Sequence, residues 1–237
     1  MPHTDDDPLV ATRRVLHGIA EHLLAAHEFR TIGRIALLAR EHGFSTLDLP
    51  PGTRPPRLEL VGSSLLTAAP DGEVGGEGSA VAVTGQSLGE LAAAVGVTFG
   101  LPDDAPYRAA SGCVAGDRAV LDPAALARLQ AAWADGDAAL RRLATEHRSQ
   151  EPPEPVLWPE HFDVAVTLDE INYGVSPGDD YLPVPYAYVG PWQPRRGEFW
   201  NAPFGAAVPV DRLGDAAALL DFFRTGSRRA AEDPPAS

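Results

Sequence analysis

The residues best equipped for chemistry in this chain lie in its last third. His161, Asp163, Asp169, Glu170, Asn172, Asp179 and Asp180 are interleaved there with Trp158, Tyr173, Tyr181, Tyr186 and Trp192. Carboxylates grouped with an amide and a histidine can bind a hard cation or pass a proton as acid and base. Their spacing fits no strong template, since an EF-hand loop needs a D-x-[DN]-x-[DN]-G frame and a closing glutamate that is missing. The plainer reading of the same residues is turn chemistry beside a solvated sheet edge.

Within this set, Gly174-Val175-Ser176-Pro177-Gly178 is a literal G-x-S-x-G string. In a nucleophile elbow the residue after the serine donates its backbone N–H to the oxyanion and opens a helix. Here that residue is Pro177, which has no N–H, and Pro183 and Pro185 follow where the helix should be. A Pro-Gly turn explains the string better, with proline fixing φ and Gly178 accepting φ > 0.

Elsewhere the candidates are thinner. His17, His22 and His27 are spaced by five residues, about 140° apart on a helix, whereas a helical metal site wants spacings of three or four. No histidine lies near Cys113 in sequence, and a free cysteine is most often simply buried. "SLGELAAAVGV" has the look of one helix of a helix-turn-helix. "TFGLPDDAPY" follows, a loop where the recognition helix should start.

The elements that must position these groups follow from periodicity and caps. Leu9, Leu16, Ile19, Ala20, Leu23 and Leu24 form one stripe of an opening helix from Leu9 to Phe29, with Pro8 in its first turn. Arg34–Leu38 and Phe44–Leu49 read as a hairpin turning at Gly43, and Arg57–Gly62 as a third strand. The Gly-rich, acidic stretch from Ala69 to Ala80 reads as a surface loop. Ser87 with Glu90 forms a capping box, and Gly96 suits the end of that short helix. Asp122 and Pro123 open a long helix weakened at Gly136.

In the last third, His161–Leu168 alternates as a strand, which puts His161 and Asp163 on one face opposite Phe162, Val164 and Val166. "YLPVPYAYV" reads as an edge strand because of its prolines. "FWNAPFGAAVPV" is a further extended run, and Asp211 is expected to cap a closing helix from Arg212 to Arg224 with Gly226 after it.

Composition narrows the classes. The chain has 237 residues, 44% of them hydrophobic and 22% charged. That is ordinary for a soluble protein, and no segment is long and apolar enough to suggest a membrane span. All 19 basic residues are arginines and the formal charge is −14. The lack of lysine points to coding bias in a GC-rich bacterial genome, and the acidic field argues against nucleic acid as a partner. An acidic amino terminus and a lone cysteine lead to the expectation of a cytoplasmic protein.

Three strings, "LWPEHFDVAV", "DEINYGVSPGDDYLPVPYAYVGPW" and "FWNAPFGAAV", resemble a bacterial family carrying a domain of unknown function. That family shows a Trp-Pro-x-His-Phe-Asp opening, a Glu-x-x-Asn-aromatic-Gly-x-x-x-Gly-Asp segment, a Pro-x-Pro-Tyr strand and a tryptophan-containing strand before a closing helix. The matching positions are Trp158, Pro159, His161, Phe162, Asp163, Glu170, Asn172, Gly174, Gly178, Asp179, Pro185, Tyr186 and Trp200. The resemblance covers about the last third, departs from the pattern at "FWNAPFGA", and implies no activity or cofactor.

These readings combine into an α+β protein, with helices flanking small antiparallel sheets and a β-rich C-terminal half ending in a helix. Residues 1–148 are expected as a helix-rich half, 149–156 as a proline-rich linker, 157–226 as the β-rich half and 227–237 as a disordered tail. Two function classes stand. In one, a non-catalytic protein holds a small polar molecule or a protein partner through Trp158, His161, Asp163, Glu170, Asn172, Asp179, Tyr186 and Trp200. In the other, an enzyme uses His161 and the nearby carboxylates as acid and base, with or without a divalent cation.

Overall fold

The structure, a computed structural model, describes residues 7–48, 57–67, 80–147 and 152–236. The Gly-rich stretch read as a loop falls outside these residues up to Ser79, as do Ser149 to Glu151 of the proline-rich stretch. The fold is α+β, with two five-stranded antiparallel sheets, in each of which the strands pair in chain order. The chain divides into two compact units, Met1–Gln130 with Leu157–Phe162, and Ala131–Val156 with Asp163–Ser237. The division therefore does not follow the proline-rich stretch. It falls inside one uninterrupted helix and again around Leu157–Phe162.

In the first unit the opening helix begins at α1 (Pro8–Ile19), where Asp7 Oδ1 accepts the Leu9 N–H at 2.8 Å and Pro8 takes the position that needs no donor. It continues through a π-helical segment (Ala20–Ala25) into α2 (Ala26–Ile32). The first sheet is a meander of β1 (Leu38–Arg40), β2 (Gly43–Ser45), β3 (Leu58–Val61), β4 (Ser64–Thr67) and β5 (Ala80–Ala82). Gly43 belongs to the strand rather than to the turn, because a Cβ there would run into the Leu60 carbonyl of β3. The capping box forms as expected on α3 (Leu88–Ala94): Ser87 Oγ accepts the Glu90 N–H at 3.2 Å, and Glu90 Oε2 accepts the Ser87 N–H at 2.6 Å.

Helix α4 (Pro123–Glu146) starts where Asp122 Oδ1 accepts the Ala125 N–H at 2.8 Å. Gly136 does not interrupt it. In the second unit that glycine lies against β7 (Asp163–Leu168) and β8 (Ile171–Ser176), where an added Cβ would come within 2.8 Å of Val175 and 3.1 Å of Val164. The rest of the second sheet is β6 (Val156–Trp158), β9 (Tyr186–Pro191) and β10 (Ala206–Pro209). Strand β9 pairs with β8 on one side and β10 on the other, so it is not an edge; Pro183 and Pro185 fall in the loop before it, where no ladder bond is lost.

The closing helix differs from expectation at both ends. Asp211 lies inside the short α5 (Val210–Leu213), and Asp215 caps α6 (Ala216–Glu232), its Oδ1 accepting the Ala218 N–H at 2.9 Å. The helix runs through Gly226 to Glu232, so most of the segment read as a disordered tail is helical. Gly226 is a packing residue rather than a stop, since a Cβ would come within 2.6 Å of Val189.

Candidate functional site on the second sheet

Strand alternation gives the second sheet two unlike faces. Val164, Val166 and Leu168 of β7, Ile171, Tyr173 and Val175 of β8, and Ala187 and Val189 of β9 are buried. Gly136 of α4 and Gly226 of α6 meet this face, and Tyr173 meets Phe223 edge-on at 6.0 Å between ring centroids. The other face carries the polar side chains. Register pairs Ser176 with Tyr186 and Gly174 with Tyr188 across β8 and β9, which places all four on the side that Asp163 occupies.

Asp163 is buried, and its Oδ2 accepts a hydrogen bond from the Tyr188 hydroxyl. Gly174 makes that bond possible, because a Cβ there would sit 2.5 Å from the Tyr188 ring and hydroxyl. Beside it, Tyr186 donates to Asp179 Oδ2 at 2.6 Å. Asp179 Oδ1 accepts the backbone N–H groups of Tyr181 at 2.9 Å and Leu182 at 3.0 Å, which fixes the loop after β8. Burial first, and then the neighbouring aspartates, push both phenols well above the ordinary tyrosine range, so they remain donors.

Two rings close over this network. Phe204, at the tip of a hairpin bridged from Ala202 to Gly205, lies 5.1 Å from Tyr181, 6.3 Å from Tyr186 and 6.2 Å from Tyr188 between centroids. Tyr181 is 46% exposed and Phe204 38%, so the outer aromatic layer meets solvent; beneath it Asp163 and Tyr186 are buried, while Asp179 is exposed. Rings and carboxylates layered this way suit a cationic group, which gains from ring faces and from negative charge together.

The structure brings only some of the expected site residues together. Asp163, Asp179 and Tyr186 share the network. Asn172 stands in a separate group, its Oδ1 accepting the Thr167 hydroxyl at 2.8 Å and the Trp192 indole N–H at 3.1 Å. Glu170 is an exposed turn residue with φ 61°, next to Asp169 at φ 51°. Trp200 donates to Asp233 Oδ2 at 3.0 Å, tying down the end of α6.

Trp158 and His161 belong to the first unit. Trp158 accepts the Phe162 N–H at 2.7 Å through its carbonyl, closing a turn in which Phe162 adopts φ 57° and His161 is exposed. Strand β7 starts only at Asp163, so His161 and Asp163 do not project from one face of one strand. Phe162 does not share the Val164 and Val166 face either, because it is buried in the first unit, stacked on His17 at 4.9 Å.

Ser176 ends β8 with no helix after it. Its Oγ accepts the Gly178 N–H at 3.1 Å, and Gly178 has φ 100°, which is the turn the proline and glycine imply. Among the described residues no group of three or more His, Cys, Asp or Glu is arranged to hold a metal ion. Tyr188 and Phe204 escaped the sequence reading, and Gly174 entered it only through the G-x-S-x-G string and the resemblance, not as a site residue. Tyr188 had a usable signal, since it stands two residues from Tyr186 on a strand and must share its face. No family model matches this chain, and neither curated proteins nor solved structures include a match.

Proposed function

We propose that this chain is a non-catalytic binding protein, whose second unit holds a small polar ligand, or a polar side chain of a partner, by a cationic group set against Tyr181 and Phe204. The observation that carries this reading is the layering of the site. Exposed rings stand over two phenol–aspartate hydrogen bonds, Tyr186 with Asp179 and Tyr188 with Asp163. Those bonds fix the Tyr186 and Tyr188 rings on which Tyr181 and Phe204 pack before any ligand arrives, which lowers the ordering entropy that binding must overcome. The phenols hold their protons too tightly to act as bases, and Ser176 is engaged in its turn. The formal charge of −14 adds a field that draws cations toward the surface and repels anions.

A thermal-shift titration tests the proposal. Tetramethylammonium and arginine amide are expected to raise the melting temperature in a saturable way, because binding to the native state alone stabilises it by mass action. Acetate at matched ionic strength should not. Phe204→Ala with Tyr181→Ala should abolish the response while the protein stays folded. An undiminished response in that double variant would remove the site from this face.

A further inference from the structure

Alternation along β9 carries the polar face of the second sheet past the binding rings. Tyr186, Tyr188, Gly190 and Trp192 fall on one side, and the pairing with β8 reaches the last of them, because the Trp192 N–H donates to the Glu170 carbonyl at 2.8 Å. The indole confirms that side. Its Nε1–H donates at 3.1 Å to Asn172, which pairs with Thr167 on β7 and with Gly190 on β9. Trp192 therefore stands four residues along the strand from Tyr188, a separation of about 13 Å at one strand rise per residue.

Among the described residues, the large hydrophobic side chains that the second unit leaves exposed are Tyr181, Trp192 and Phe204, Trp192 at 64%. All three are rings on this face. Exposed hydrophobic residues scattered singly need no explanation, whereas several gathered on one face mark a surface that a partner covers. The Trp192 ring is also held in place. Asn172 Oδ1 accepts both the indole N–H and, at 2.8 Å, the Thr167 hydroxyl, which orients the carboxamide and leaves its Nδ2 to donate to a ligand. At β10 the edge of the same sheet is closed to an added strand: Asn201 Nδ2 donates to the Ala207 carbonyl at 3.1 Å, and Asn201 Oδ1 accepts the Ala207 N–H at 2.9 Å. A partner is thus directed to the face and away from that edge.

Charge selects the partner. Asp163 and Asp179 are bonded to the two phenols beneath the rings, Asp180 follows in the same loop, and the formal charge of −14 repels a second copy of the chain and anionic surfaces alike. We propose that this face takes an extended segment of a basic partner protein, with a basic residue at the Tyr181 and Phe204 rings and, four residues away, an apolar side chain on Trp192. Residues i and i+4 of an extended chain point to the same side about 13 Å apart, the separation of Tyr188 and Trp192. Residue i+2 faces Gly190, which presents no side chain, and a carbonyl of the segment accepts from Asn172 Nδ2. The inference rests on the cationic ring site proposed above and identifies its ligand as part of a protein.

Calorimetric titration of the full chain tests this with three probes. They are arginine amide, the peptide Leu-Thr-Ser-Thr-Arg-Thr-Ser-Thr-Leu amide, which serves either chain direction, and the same peptide with serine for both leucines. The leucine peptide should bind roughly tenfold tighter than the serine peptide, the scale of burying one apolar side chain on an exposed ring. Trp192→Ala should remove that gain and leave arginine amide binding as it was. Equal affinity of the two peptides, or a gain that survives Trp192→Ala, would overturn the proposal. So would self-association of the chain that Trp192→Ala disperses, since it would assign the face to a second copy. Should Trp192→Ala fail to fold, the ratio of the two peptides on the unaltered chain decides. Arginine amide binding with equal peptide affinities sinks this inference alone, whereas no binding of arginine amide sinks the ring site itself.

Discussion

At the scale of single residues, the polar face of the second sheet is held by a few bonds that can be cut one at a time. Tyr188→Phe removes the phenol from buried Asp163 and should destabilise the protein by about 2 kcal/mol, the size of a hydrogen bond to a charged group. Denaturant unfolding would measure it. Ser176→Ala should cost only about 1 kcal/mol and leave ligand binding intact, whereas Gly178→Val, forced to φ 100°, should cost roughly 2 kcal/mol or more. Loss of binding in a folded Ser176→Ala chain would contradict the turn reading.

Glu28 supplies the pH dependence. It is 3% exposed, and burial lifts its pKa from 4.5 to about 7 against the opposing pull of the Leu47 N–H and Arg34. Because the folded value lies above the unfolded one, ionisation works against folding. Its contribution is whole below the unfolded pKa and is lost as pH rises through about 7. Glu28→Gln, neutral throughout, should therefore gain on the native chain by about 3 kcal/mol between about pH 4 and about pH 8. Parallel pH profiles of stability for the two proteins would exclude this role for Glu28. None of it was legible in the sequence, where Glu28 reads as a solvated helix residue, since its burial comes from residues distant along the chain.

At the scale of elements, the caps of two helices and the glycine that follows α3 were legible, Gly96 taking φ 73° as expected, whereas the cap of the closing helix was not, since Asp215 and not Asp211 caps α6. Ser87 and Asp122 act as read, because a cap is a local hydrogen bond between near neighbours. Gly136 and Gly226 were misread as weak points because a glycine looks the same whether it stops a helix or admits a neighbour. The distinction predicts a reversed sign. Alanine in place of a helical glycine ordinarily stabilises by about 1 kcal/mol. Gly136→Ala and Gly226→Ala should instead destabilise by about 1–3 kcal/mol, since the new methyl meets Val175 and Val164 in one case and Val189 in the other. Thermal melts of the two variants would show it, and a rise in melting temperature in either would refute the packing role.

At the scale of the whole molecule, the α+β class and the closing helix were legible from the change of period along the chain, 3.6 early and 2 late. The division into units was not. It depends on which residues meet in space, and Leu157–Phe162 joins the first unit through pairings such as Leu37 with Leu157 that no local pattern announces. The same limit applied to the site: the eight expected residues share a sequence neighbourhood, yet only Asp163, Asp179 and Tyr186 share a network, and Phe204 reaches it from a later hairpin. No helix among the described residues is long and apolar enough to cross a membrane.

The most direct measurement of the binding claim is an NMR titration of the isotopically labelled chain with arginine amide. The expected result is a saturable set of shifts confined to the amides around Tyr181, Tyr186 and Phe204, weakened by added salt and absent in the Tyr181→Ala, Phe204→Ala double variant. Saturable shifts elsewhere that persist in the double variant, or no shifts at all, would contradict the claim that this aromatic and carboxylate face is where the protein binds.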